Sequence, residues 1–258
     1  MSALFGGKVA LVTGGSSGIG RAAALAIAKE GAKVFIADID AGGGERTATE
    51  INDAGRQASF VRTDVSSAPE VEALVRKIAD TCGRLDCAFN NAGVEGARGP
   101  LADCTEEDWD RVMRVNLKGI WLCMRQELRL MSKQGGGSIV NTASVPALSG
   151  AENASAYAAA SHGIIGLVKS AALEYAKAGI RINAVCPGVI RTPMIERLMA
   201  HRPEPERPKL EAQMAAHSPM GRLGSPEEVT QAVVWLLSDQ AAFVTGSFIL
   251  VDGGTSAR

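Results

Sequence analysis

Short runs of consecutive apolar residues alternate along this chain with stretches whose apolar positions recur every three or four residues. "KVALVTGG" is an apolar run closed by glycines, and "RAAALAIAKEG" follows with helix formers and a terminal glycine, predicting strand, turn and helix. "AKVFIAD", "ASFVRTDV", "LDCAFNNAG", "GGSIVNTAS", "IRINAVCPG" and "GSFILVDGG" read as further strands. Their near-continuous apolar character suits strands covered on both faces and so predicts a parallel sheet. Between them Val71, Leu74, Val75 and Ile78 follow helical spacing, with Ser67 and Glu70 set as a capping box. Seven strands with interleaved helices predict an α/β fold, one doubly wound parallel sheet with helices on both faces, occupying 1–258 as a single domain.

The pattern lapses over residues 193–224, where Pro203, Pro205 and Pro208 exclude a continuous helix until Ser225 (N-cap), Pro226 and Glu228 start one. An insertion of that length in a compact domain suggests a lid or binding loop. Composition narrows the partners: 27 basic against 28 acidic residues give a net charge of −1, without the basic footprint of a nucleic-acid or membrane binder. The five cysteines never fall two residues apart, which argues against zinc and against a disulfide framework. With no basic leader before a long apolar stretch, the expected setting is the cytoplasm and the expected partners are small molecules.

Candidate chemistry starts at "TGGSSGIG". Gly14, Ser16, Ser17, Gly18, Ile19 and Gly20 stand between the first strand and helix, where backbone amides and a helix N-terminus can meet a pyrophosphate. Asp38 ends the second strand, placed to accept hydrogen bonds from ribose hydroxyls and to repel a 2′-phosphate. Neither Gly15 nor Ile39 supplies a cation, so NAD is expected over NADP. Asp64 and Val65, ending the third strand, are candidates to flank the adenine, with a turn role for Asp64 as the competing reading.

Gly14-x-x-x-Gly18-x-Gly20, "NNAG" at 90–93, Ser144 thirteen residues before Tyr157, and "PG" at 187–188 together resemble the short-chain dehydrogenase/reductase family across nearly the whole chain. The resemblance implies that Tyr157 is the general acid/base, that Ser144 bonds the substrate oxygen, and that Asn116 holds a proton-relay water. It also implies that Asn91, Ala92 and Gly93 pass under the cofactor, and that Pro187, Gly188, Ile190 and Thr192 contact its nicotinamide side. A homotetramer is implied as well, in keeping with the small residues Ala156, Ala159, Ala160, Gly163 and Gly166.

One position departs from the family. The lysine expected four residues after the tyrosine, which holds the nicotinamide ribose and stabilises the phenolate, is Ser161 here. Serine can donate a hydrogen bond but carries no charge, so it cannot lower a phenol pKa by attraction. His162 and Lys169 lie well around the helix from Tyr157 and are expected to face elsewhere. His201 and His217 read as loop histidines. Trp109, Trp121 and Trp235 read as packing or subunit-contact residues, and Met194, Ile195, Leu198 and Met199 as an apolar group suited to a substrate pocket. The expected function is NAD-dependent interconversion of a secondary alcohol and a ketone, impaired at Ser161. The alternatives are a non-catalytic NAD-binding or assembly protein and a chain altered by design at position 161.

Overall fold

The structure, a computed structural model, describes residues 3–200 and 203–257. Its sheet comprises β1 (Val9–Thr13), β2 (Lys33–Asp38), β3 (Gln57–Arg62), β4 (Cys87–Asn90), β5 (Gly137–Thr142), β6 (Ile180–Pro187) and β7 (Phe248–Val251). All pairings are parallel, in the order β3-β2-β1-β4-β5-β6-β7. The chain winds outward from β1 to β3, returns to the other side of β1, and winds outward again from β4. That reversal opens a crevice at the carboxyl ends of β1 and β4, where open α/β sheets bind ligands.

The helices are α1 (Gly18–Lys29), α2 (Ala41–Asp53), α3 (Ala68–Cys82), α4 (Glu106–Val112), α5 (Gly119–Gln134), α6 (Ser155–Tyr175), α7 (Pro193–Ala200), α8 (Arg207–His217) and α9 (Pro226–Leu237). One face of the sheet is covered by α3, α5 and α6, which contribute Leu74, Met124, Met131, Ile164 and Val168 to the core. The other is covered by α1, α2 and α9 through Ala24, Ile27, Ile51, Val233 and Leu236. With helices on both sides, β1 and β4 are buried at every residue. The edge strands β3 and β7 are only half-covered, so their sequences overstate their burial.

Local differences from the sequence reading have identifiable causes. The capping box expected of Ser67 and Glu70 does not form: the Ser67 side chain caps nothing, and Glu70 accepts from the Asp64 amide at 2.9 Å while facing Arg62 at 3.5 Å. The proline-rich stretch is not irregular throughout. Pro208 sits in the first turn of α8, where its missing N–H costs nothing, so proline divides this excursion into helices. His201 lies outside the described residues. Of the small residues on α6, Ala156 and Ala160 are used inside the chain against Val112, and a Cβ on Gly163 would stand 2.8 Å from Leu117.

The capping box at Ser225 does form. Ser225 Oγ accepts from the Glu228 amide at 3.3 Å, Glu228 accepts from the Ser225 amide at 2.8 Å, and Arg222 bonds the same carboxylate at 2.6 Å. Ser225→Ala should lower unfolding stability by about 1 kcal/mol, read as a lower urea midpoint at unchanged slope. An unchanged midpoint would contradict this account of how α9 starts.

Candidate active site

After Thr13 the chain turns through Gly14 (φ 67°) and Gly18 (φ 54°), left-handed conformations that favour glycine. A Cβ on Gly14 would lie 2.8 Å from Ala92 Cα, and one on Gly20 would overlap the Gly14 carbonyl, so the turn and the segment after β4 touch backbone to backbone. Ser17 precedes α1 without capping it by its side chain. The first amides of α1, which a helix cannot satisfy internally, are therefore left to a ligand or water. Beside them Asp38 accepts from the Ser16 amide and from the Asp40 amide, each at 3.0 Å, which fixes its carboxylate at the end of β2 next to the turn. Ile39 is exposed and Ile19 packs against the α1 side of the core.

These residues fit a dinucleotide: small where a pyrophosphate must approach, unpaired at the helix terminus, and acidic where a ribose would lie. The third strand supplies less. Asp64 accepts from the Ser66 amide at 2.8 Å, which is the turn role, and Val65 is buried against Val71, Leu122 and Cys123. On the far side a Cβ on Gly18 would come within 3.3 Å of the Thr192 methyl, so the segment after β6 closes over the glycine turn. Pro187 ends β6, the Gly188 amide bonds the Val251 carbonyl at 3.0 Å, and Ile190 is buried where it bridges to Gly224. The apolar group Met194, Ile195, Leu198 and Met199 is half-buried on α7.

The segment after β4 is held from several directions. Thr13 Oγ1 accepts from the Asn91 amide at 3.0 Å and the Ala92 amide at 3.2 Å, and Thr142 donates to Asn91 Oδ1 at 3.3 Å. Gly93 lies against Asn116, where its hydrogen would become a Cβ 3.4 Å from Asn116 Oδ1. Asn116 occupies a π-helical turn, Met113–Lys118, between α4 and α5, and both ends of its amide bond the Val94 backbone at 2.8 Å. It is thus first a clamp on this loop, with one lone pair and one N–H left over for a water.

Tyr157 and Ser161 lie one turn apart on the same face of α6. Burial pushes the Tyr157 phenol above its ordinary value near 10, against the opposing effect of the Ser144 hydroxyl. Ser144 Oγ also lies 3.3 Å from the Pro187 carbonyl. Ser161 is 3 % exposed and brings no cation. Neither His162 nor Lys169 takes that place: His162 is exposed and bonds the Ala158 carbonyl at 2.9 Å, while Lys169 stands 5.8 Å over the Phe248 ring. His217 is exposed on α8, bonded to the Gln213 carbonyl at 2.8 Å.

A cleft of about 240 Å³ adjoins Tyr157, lined among others by Glu95, Arg98, Cys104 and Asn153. Glu95 and Arg98 pair at 2.6 Å, and Asn153 is held at φ 61°. Sequence reasoning passed over this rim, because a loop between two recognised motifs carries no periodicity and Asn153 has no motif of its own. Among the described residues no group of three or more His, Cys, Asp or Glu could hold a metal ion, and no helix is long and apolar enough to cross a membrane.

Comparison with known proteins agrees with this geometry. A family profile described as enoyl-(acyl carrier protein) reductase matches residues 14–256. Levodione reductase of Leifsonia aquatica is 41 % identical over 98 % of this chain and 96 % of its own. A crystal structure of levodione reductase superposes with a TM-score of 0.95 at 40 % identity, covering 98 % of this chain and 99 % of that one. Cyclohexanol dehydrogenase of Acinetobacter sp. strain SE19 is 43 % identical over 100 % of this chain and 98 % of its own. The crystal structure of a single-substitution variant of actinorhodin polyketide ketoreductase with NADPH superposes with a TM-score of 0.93 at 36 % identity, each chain covered in full (100 %). With relatives aligned end to end and the crevice, glycine turn, Ser144 and Tyr157 in place, the chain belongs to the short-chain dehydrogenase/reductase family of oxidoreductases, whose relatives include named alcohol dehydrogenases and ketoreductases, one of them solved with NADPH.

Proposed function

We propose that this protein is an NAD-linked oxidoreductase of a secondary alcohol and its ketone, with a ring alcohol of the cyclohexanol type as the first substrate to try. The observation that carries the reading is the Tyr157 phenol, which borders an open cleft and has the Ser144 hydroxyl acting on it. When bound, a nicotinamide ring accepts or gives the hydride. The protein's task is the proton, and its residues divide the work. Tyr157 gives a proton to the carbonyl oxygen in reduction and takes one from the hydroxyl in oxidation, Ser144 orients that oxygen, and Asn116 fixes the loop at Val94 that walls the site. Ser161 can hold a ribose hydroxyl and nothing more. The helices of residues 193–224 serve as the substrate lid in this reading, and the five unpaired cysteines suit the reducing cytoplasm.

Asp38 sets the choice of dinucleotide. A 2′-phosphate forced against that carboxylate should cost on the order of 2 kcal/mol, about thirtyfold in affinity. Fluorescence titration should therefore give NADH the tighter binding by that factor, and equal binding of NADPH would overturn the assignment.

Ser161 sets the direction of easy chemistry. With the phenol above its usual value and no cation at position 161, at most about one molecule in a thousand is ionised at pH 7. Oxidation needs that phenolate, whereas reduction needs the neutral phenol. The kcat for alcohol oxidation should rise about tenfold per pH unit from 7 towards 10, and Ser161→Lys should raise it at pH 7 by about 10² or more, with reduction changed far less. A flat oxidation profile that matches the lysine variant would contradict this, and dinucleotide binding without turnover in either form would favour a binding protein.

We also propose a homotetramer. Trp121 on α5 and Leu173 on α6 are large apolar side chains left at the surface, and Gly166 has open space above it. Light scattering at micromolar concentration should show four times the 26.8 kDa chain mass, and a 26.8 kDa species or a dimer would refute it.

A further inference from the structure

Beneath the crevice, on the α5 side of the sheet, lies a polar cluster that the proposed chemistry does not use. Glu127 projects from the middle of α5 and is 0 % exposed; among the described residues it is the only Asp, Glu, Lys, Arg or His in the buried class. Asn90, the last residue of β4, donates from Nδ2 to Glu127 Oε2 and to Asn141 Oδ1, both at 3.0 Å. Asn141 in turn donates to the Asn183 carbonyl at 3.4 Å. After that accounting Asn90 Oδ1 and Glu127 Oε1 are both buried without a partner. An ionised carboxylate has acceptors only, so it can satisfy neither of them. Rotating the Asn90 amide makes matters worse, because its oxygen would then face both Glu127 Oε2 and Asn141 Oδ1.

We infer that Glu127 is kept as a neutral carboxylic acid whose proton, on Oε1, is donated to Asn90 Oδ1, closing an acid–amide ring that positions the end of β4. One proton then satisfies both orphaned atoms, and the buried charge disappears with them. The surroundings are consistent. The side chains packed in this layer from α3, α5, α6 and β6 are apolar, together with Cys82, Cys123, Tyr175 and Cys186, and among the described residues no charged side chain other than Glu127 is in the buried class. Burial pushes the Glu127 carboxyl up to about 8 against the Asn90 hydrogen bond, and pushes the Cys123 thiol well up. The ring acts through its neighbour: Asn90 leads directly into Asn91 and Ala92, which bond Thr13 and touch the Gly14 turn. Glu127 is therefore a positioning residue rather than a catalytic one. The state of the proton is independent of the function proposed above; only its consequence for dinucleotide affinity rests on that reading.

The pH dependence has a definite sign. Below about 4.5 the acid is protonated folded or unfolded; between there and about 8 only the unfolded chain ionises, so this group removes stability steadily as pH rises. Above about 8 the folded form ionises too and the loss levels off. Infrared spectroscopy of the whole protein at pH 7 should show a carboxylic-acid carbonyl band that fades around pH 8 and is absent in Glu127→Gln. The amide variant keeps the donor to Asn90 Oδ1 but cannot titrate. Its melting temperature should exceed that of the unaltered chain by a margin that widens from pH 5 to 8, by on the order of 5 °C or more, and then stays constant. NADH affinity should weaken between pH 7 and 9 in the unaltered chain and hold in the variant. Absence of the acid band at pH 7, or a melting difference independent of pH, would overturn the inference even if no dinucleotide binds.

Discussion

The carboxyl edge of the sheet depends on the contact between the end of β4 and the glycine turn after β1. Thr13 accepts two backbone amides from Asn91 and Ala92, and Gly14 has no room for a side chain because Ala92 lies against it. These two strands flank the reversal in winding, so their joined ends form the floor of the crevice. Everything that reaches the site does so relative to that floor. Asn116 holds Val94, two residues past Ala92, from a π-helical turn, the Thr192 methyl closes on Gly18, and Ser144 and Tyr157 arrive from the end of β5 and from α6.

On that scaffold the charge inventory is unusual for what is missing. A half-buried phenol is a poor acid, since desolvation penalises its anion, and the Ser144 hydroxyl offsets only part of that penalty. A cation one helical turn away would reverse the balance. Ser161 cannot, and the basic groups nearest in sequence are turned away, His162 to solvent and Lys169 to Phe248. In the proposed reading the site therefore holds a neutral proton donor without the charge that would favour a proton acceptor.

How much of this could be read from the chain depended on whether a signal was local. Strands covered on both faces must be apolar almost throughout, so the sheet and its parallel sense were legible, as was the Ser225 cap with both partners within four residues. Ser67 and Glu70 misled because Glu70 found the Asp64 amide and Arg62 instead, a competition that the four-residue pattern does not contain. Asn116 was legible as a motif residue but not as a double clamp on Val94, a contact across 22 positions. Glu127 gave no signal at all. In "MRQELRL" an acid among charged neighbours reads as the wet side of a helix, and only the fold shows that this one faces Asn90.

The central claim is that Tyr157 rests as a neutral phenol because nothing charged stands at position 161. The chain has two tyrosines, Tyr157 and Tyr175, so ring-carbon NMR of protein labelled at the tyrosine ζ position gives two resonances, assigned with Tyr157→Phe. The account predicts that the Tyr157 signal keeps its neutral-phenol shift through pH 9 and titrates above 10, and that Ser161→Lys moves the midpoint downward. A Tyr157 midpoint near neutral pH in the unaltered chain would contradict it.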